Sequence, residues 1–386
     1  MASQLRERLV ARIRSEGPIT FADYMTAALY DPDDGFFSRA PVGPAGDFVT
    51  SPHVSPVFAA CLARQAVDTW EQLGKPPSFT LIDLGAGDGL LGAQVRDSLE
   101  HHALASALRV VAVEQGARQR AAIAERGLAA VADLAAVAAP VDGLVVANEL
   151  FDNLPFHLLR SRDGSLREVM VAERDGELIE REGEPTVTPP VAPQDGEPRV
   201  APPDGEPRVA PPDGEPVAPH GPPPTEFPFA PGAAAIVESI ARVLRRGVAL
   251  IVDYGFARGE APEPIRGYRG HRLVTDLLAD PGSTDITGPV DFGSLARAAR
   301  RAGLVPYGPT DQRAALHALG YRSILDELRA RQAGQETAGQ WRHAVASFGA
   351  RGDAATLVDP GGLGSLKVLG LATHGLRPPL ALRSGF

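Results

Sequence analysis

The chain has 386 residues, is 44% hydrophobic and carries a net charge of −10. The apolar share supports a large core in one or two domains, while the acidic balance excludes a general affinity for nucleic acid, whose phosphates require clustered Lys and Arg. A single cysteine, Cys61, rules out an intrachain disulfide and a cysteine-rich zinc site. No apolar run reaches the length needed to span a membrane.

In chain order, Met1–Arg14 is amphipathic and Arg-rich. It contains Glu7 and is followed closely by Glu16, so it reads as a first surface helix rather than a transit peptide, and a bacterial cytoplasm is the expected setting. Residues 1–75 form an N-terminal helical cover. Within it, Gly46-Asp47-Phe48-Val49-Thr50-Ser51-Pro52-His53 precedes an apolar helical run, Val57 to Leu73. On its own this polar stretch reads as ordinary helix capping with Pro52 in the first turn. Cys61 lies in the apolar run and reads as an inert core residue.

Residues 76–184 carry the first part of the core. Thr80–Leu84, Val110–Glu114, Leu128–Ala132 and Leu144–Asn148 are short, continuously apolar strands, and helices are expected over Gly89–Leu99 and Ala117–Arg126. This alternation predicts an α/β fold with a mostly parallel sheet buried on both faces.

The loop Gly85-Ala86-Gly87-Asp88-Gly89 follows the first strand. Glycines there let the backbone turn sharply and approach a ligand. Gly87-x-Gly89-x-x-Gly92 matches the dinucleotide pattern, but out of register: the strand ends near Leu84, which makes Gly85 the turning glycine, and the residue five positions on is Leu90. The next acidic strand end, Glu114, comes later than a NAD site expects. Asp83 and Asp88 would also repel a pyrophosphate. S-adenosylmethionine carries no phosphate. Asp83 would attract its cationic methionyl end, and Glu114 would accept both ribose hydroxyls.

Asn148-Glu149-Leu150-Phe151-Asp152-Asn153-Leu154-Pro155 follows the fourth strand. In an open parallel sheet this position faces the ligand crevice, and burying such polar groups is costly unless they bind something. Glu149 and Asp152 suit a guanidinium, an ammonium or a proton to be removed; the bland alternative is a capped helix start. Next, Leu166–Val171 and Glu177–Glu182 alternate around Arg174-Asp175-Gly176, a β-hairpin expected to extend the sheet.

Residues 185–231 hold 17 of the 36 prolines, with a nine-residue unit recurring from Ala192. Proline removes backbone donors, and the unit offers no apolar face, so this stretch reads as a disordered, partly polyproline II insertion. The core then resumes over 232–386. A helix is expected at Ala233–Arg245 and a fifth strand at Ala249–Asp253. A loop-rich stretch, Arg266–Asp291, contains Gly267-Tyr268-Arg269-Gly270-His271-Arg272 and reads either as a solvated basic loop or as a lid. Helices Phe292–Ala302 and Gln312–Arg331 and an antiparallel strand at Leu366–Ala372 complete the chain. The histidines show no metal-ligand spacing.

These pieces resemble the MidA-type S-adenosylmethionine-dependent methyltransferases. The matching segments are Ile19–Met25 with Ala28-Leu-Tyr30 and Gly35-Phe-Phe37; Gly46–Pro52; Asn148–Pro155; and Asp253-Tyr-Gly-Phe256 followed by Tyr268–His271 and Asp280–Thr287. The resemblance implies a class I methyltransferase fold, Rossmann-like, with an inserted hairpin and C-terminal cap elements over the pocket. It implies a cofactor site drawn from Asp83, Gly85, Gly87, Gly89, Glu114, Asn148, Asp47 and Thr50, and a catalytic set of Glu149, Asp152 and His271. Its mitochondrial member is linked to methylation of a protein arginine. The acceptor implied is therefore a nitrogen, in a protein or a small molecule. A small-molecule O- or N-methyltransferase, or a cofactor-binding assembly factor with little catalysis, stays open, as does a homodimer; no nucleic-acid, membrane or metal partner is implied. The chain departs from the family pattern in its loop, usually Glu-x-Gly-Pro-Gly-Arg-Gly and here Asp83-Leu84-Gly85-Ala86-Gly87-Asp88-Gly89, at His53 where an acid follows Ser51-Pro52, at Phe58-Ala59 where Phe-Gly is expected, and in the insertion at 185–231.

Overall fold

The computed structural model of the chain describes residues 4–39, 50–138, 140–162, 165–186, 226–270, 272–337 and 353–383. Seven strands build its principal sheet: β1 (Phe79–Leu84), β2 (Leu108–Val113), β3 (Ala129–Val131), β4 (Val141–Asn148), β5 (Leu244–Asp253), β6 (Val305–Asp311) and β7 (Lys367–Ala372). Their spatial order is β6-β7-β5-β4-β1-β2-β3.

The pairings from β3 through β2, β1, β4 and β5 are parallel, whereas β7 runs antiparallel to both β5 and β6. The sheet is thus mixed, not the mostly parallel one that the strand–helix alternation predicts. Between β6 and β7 the chain passes through two helices, Gln312–Ala318 and Tyr321–Thr337, rather than one. These helices are a single expected helix divided at Gly320, whose φ of +84° takes the backbone out of the helical region.

Each inner strand is buried on both faces because side chains alternate along it. Leu81, Leu144, Val146, Leu250 and Val252 point to the side covered by the helix Pro56–Gln72, with Phe58, Cys61, Leu62 and Trp70. Ile82, Val145, Ala147, Ala249 and Ile251 point to the other side, covered by Pro231–Val243 and Phe292–Arg301. Strand β6 escapes a sequence reading because Pro306, Gly308 and Pro309 interrupt it; such residues are tolerated at a sheet edge, which is where β6 lies.

The expected hairpin, Ser165–Arg174 with Glu177–Thr186, turns at Asp175 and Gly176, both with positive φ as a tight hairpin turn requires. It does not extend the principal sheet. It belongs to a second, antiparallel sheet with Ile19–Thr20, His157–Arg162 and Glu226–Phe229. Val169, Val171 and Leu178 pack there with Leu5, Leu9, Phe21 and Tyr24 of the helices Gln4–Glu16 and Phe21–Tyr30, a third core the hairpin needs for its apolar face. The 185–231 insertion is entered from a strand that continues to Thr186. It is left through the strand Glu226–Phe229 and the helix start at Pro231; its repeats lie outside the described residues. Among the described residues, no helix is long and apolar enough to cross a membrane.

Candidate active site

Strands β1, β2, β4 and β5 end at one rim of the sheet, and the loops beyond them form the site. After β1, Gly85, Gly87 and Gly89 adopt φ values of +75°, +55° and +76°. A Cβ on Gly85 would stand 2.8 Å from Leu150 Cδ1, and one on Gly89 would stand 2.9 Å from Ile123 Cγ1. This backbone requires glycine both for its handedness and for the room it leaves.

Glu114, just past β2, ties the loop down. Its Oε2 accepts the Gly87 N–H at 3.0 Å and its Oε1 accepts the Gly116 N–H at 2.8 Å. Burial raises its pKa, against the pull of these two N–H groups and Arg120. Asp83 lies beneath the loop, 3% exposed, with Oδ2 accepting the Gly92 N–H at 3.0 Å. Burial pushes its carboxyl up to about 7, and the charges of Glu114 and Asp88 act in the same direction.

On the other side of the rim, Asn148 ends β4 and Glu149 follows with a positive φ of 51°. Non-glycine residues pay for that conformation, and such strain concentrates at functional sites. Glu149 Oε1 accepts the Ser51 N–H at 3.1 Å and the Asn148 amide at 2.9 Å. Burial raises the Glu149 pKa despite both bonds. Asp152 is buried, and its pKa stands well above the usual carboxylate range because of burial and the neighbouring Asp253, Asp285 and Glu149. Asn153 donates to Asp285 Oδ1 at 2.8 Å, and Tyr30 donates its hydroxyl to the Asn153 carbonyl at 3.0 Å.

The structure therefore brings Asp83, the three glycines and Glu114 together, and sets Asn148, Glu149 and Asp152 beside them at the same rim. Thr50 also reaches the site: its hydroxyl contacts His53 Nδ1 at 2.8 Å, and His53 Nε2 stands 3.5 Å from Asp88 Oδ1. Asp88 is also paired with Arg126 at 2.6 Å. Burial raises the Asp88 pKa, but His53, the Leu90 N–H and Arg126 outweigh it and leave the carboxyl below its ordinary value. Two of the positions that depart from the family pattern, His53 and Asp88, thus meet each other. Asp47 and His271 lie outside the described residues.

Sequence reasoning gave no site role to Asp253, Asp285, Tyr30 or His53. A usable signal existed only for Asp253, which sits at a strand's carboxyl end, where ligands gather in such sheets. Beyond Asp253 a cavity of about 390 Å³ opens, lined by Tyr254, Phe256, Glu260, Glu263, Asp311 and Lys367. Arg266 lies over the Tyr254 ring at 4.6 Å and pairs with Glu263. Among the described residues, no group of His, Cys, Asp or Glu has the arrangement of a metal site.

A seven-stranded sheet with its last strand reversed, a left-handed glycine loop after β1 and an acid closing β2 define an α/β methyltransferase of the nucleoside-binding kind. Comparison with known proteins gives the particular family: the chain belongs to the one described as "Putative S-adenosyl-L-methionine-dependent methyltransferase", whose model matches residues 61–310. It is 30% identical over 362 residues to the Drosophila melanogaster protein named protein arginine methyltransferase NDUFAF7 homolog, mitochondrial, covering 84% of this chain and 77% of that one. The mouse protein of the corresponding name is 29% identical over 368 residues, covering 86% and 78%. A crystal structure of a superfamily relative from Burkholderia thailandensis, bound to S-adenosyl-homocysteine, has the same fold: TM-score 0.78, 24% identity, 99% of this chain and 95% of that one.

The residues present fit the cofactor. The glycine backbone leaves room for close approach, Glu114 retains unused lone pairs for a ribose diol, and Asn148 Oδ1 is a buried acceptor with no partner among the described residues, suited to an ammonium donor. The protein is an S-adenosylmethionine-dependent methyltransferase.

Proposed function

We propose that the acceptor is an arginine side chain of a protein. The observation that carries this reading is the gathering of Glu149, Asp152, Asp253 and Asp285, four carboxyl groups close enough to perturb one another, where β4 and β5 end. Such a group favours a cation, and a planar guanidinium can take two carboxylate bonds at once. The adjoining cavity already holds one arginine, Arg266, stacked on Tyr254 and paired with Glu263, while Lys367 pairs with Glu260 and Asp311. The names of the Drosophila and mouse relatives agree with it.

When bound, the cofactor supplies a methyl group already activated by its sulfonium. What remains for the chain is to hold the nitrogen in line and to receive a proton. A guanidinium keeps its protons to above pH 12, so Glu149 and Asp152 align it and localise its charge on the nitrogens away from the reacting one. One N–H proton leaves late, as the new N–C bond forms, and Glu149 is the carboxylate assigned to take it. Asn148 and Glu114 hold the cofactor, Thr50 covers it from the N-terminal side, and Asp47 is assigned to it from the sequence alone. His271, assigned from the sequence, is proposed for an acceptor with a more readily lost proton. Leu5, Leu9, Val10 and Ile13 pack into the third core, which gives the first helix a structural role.

Labelled S-adenosylmethionine supplied with cell extract tests the reading. Label should enter protein and be released on acid hydrolysis as methylated arginine. Label found only in small metabolites overturns it and favours the small-molecule alternative.

A further inference from the structure

Asp253, at the end of β5, is fully buried, and backbone N–H groups satisfy both its oxygens. Oδ2 accepts from Leu150 at 3.0 Å and from Phe151 at 2.7 Å; Oδ1 accepts from Tyr254 at 2.8 Å. Two of these donors belong to the loop after β4, more than a hundred positions earlier in the chain. That loop carries Glu149 and Asp152; at its ends Glu149 N–H donates to the Val252 carbonyl and the Asp152 carbonyl accepts from Gly288 N–H, each at 2.8 Å, and Asp253 holds the turn between them. Burying a carboxylate costs several kcal/mol unless donors compensate it, so three converging N–H groups mark the place built for the charge. Asp152 faces it with an Oδ1 that no described residue satisfies. Two carboxyls in a dry site cannot both ionise at ordinary pH.

We propose that Asp253 is a positioning residue for methyl transfer: it fixes the loop bearing Glu149 and Asp152, and by facing Asp152 it makes that carboxyl the holder of the proton the two share. This rests on the reading that the loop receives the acceptor. Three further groups face the pair: Glu149 on the same loop, Asp285 from the strand Asp285–Thr287, and Tyr30 from the helix Phe21–Tyr30. The charges of Glu149 and Asp285 favour keeping the proton, whereas Tyr30 is a neutral phenol that donates its hydroxyl to the Asn153 carbonyl. A cationic acceptor entering the site releases it, so turnover gains with pH as the pair loses its shared proton.

The test uses the full chain with Asp253→Asn and Asp152→Asn, measuring kcat, KM, S-adenosylhomocysteine affinity and the pH profile of kcat. Asp253→Asn should lower kcat roughly 10- to 100-fold, leave S-adenosylhomocysteine affinity within about twofold, and move the acidic limb of the profile to lower pH, because Asp152 no longer faces a charge. Asp152→Asn leaves the three backbone bonds of Asp253 intact and should shift that limb, leaving the part that Glu149 sets. A parallel loss of cofactor affinity and turnover with an unmoved limb in Asp253→Asn makes Asp253 merely structural and overturns the proposal; so does a limb that Asp152→Asn leaves unmoved. Glu149→Gln, run alongside, separates the two readings: full turnover there overturns the acceptor assignment and leaves the limb as the test of Asp253.

Discussion

Ser51 donates its backbone N–H to Glu149 Oε1 at 3.1 Å, across 98 positions of sequence. This bond joins the N-terminal cover to the loop after β4. The same short segment reaches the glycine loop through His53 and Asp88, so it bridges both halves of the rim. Residues 50–53 therefore tie the glycine loop to the loop after β4.

Glu149→Gln keeps an oxygen for the Ser51 N–H and removes the charge. We expect kcat to fall about 100-fold, in the range a lost acid–base group gives, with S-adenosylhomocysteine affinity unchanged by calorimetry. Full activity would remove Glu149 from the mechanism.

Gly85→Ala places a methyl 2.8 Å from Leu150 Cδ1 at a backbone φ of +75°. The expected cost is about 1–3 kcal/mol of stability. The loop should also lose its shape for the cofactor, with S-adenosylhomocysteine affinity down roughly tenfold or more, equivalent to about 1.4 kcal/mol. Unchanged affinity in titration calorimetry would take this loop out of the cofactor site.

The buried carboxyl of Asp83 makes stability depend on pH. Its folded value of about 7 lies above the ordinary 3.8, so the native state binds the extra proton between the two. Its contribution to stability is fully present below about pH 4 and is lost as pH rises through 7, on the order of 4 kcal/mol in all. Asp83→Asn should therefore raise the melting temperature at about pH 8 relative to wild type and leave it unaltered near pH 4. The same difference at both pH values would contradict the assignment.

Cys61 is fully buried beside Leu62 and Ala66, and burial pushes its thiol up to about 12. Thiolate, not thiol, reacts with disulfide reagents. Labelling at about pH 8 should proceed only through opening of the fold and accelerate steeply with denaturant. Rapid labelling of the native protein would show that the helix Pro56–Gln72 does not pack as described.

Local signals carried the sequence reading a long way. The apolar runs of β1, β4 and β5 and the glycines after β1 are each fixed by neighbours a few residues away, by burial on two faces or by a left-handed turn. Glu114 was legible for the same reason, as the acid closing the next strand. Where two long-range options compete, the sequence is silent. The hairpin at 165–186 has the right alternation for either sheet, and only the apolar surface of the first two helices draws it to the second.

The sequence by itself determined a glycine loop between a buried strand and a helix, a polar loop after the fourth strand, and the family to which both belong. Only the tertiary structure decided that β7 runs against its neighbours, that His53 meets Asp88, and that Asp253 holds the Glu149–Asp152 loop. The physical reason is range. Backbone handedness and apolar periodicity act within a few residues, whereas the protonation of a buried carboxyl depends on which distant carboxyls folding brings beside it.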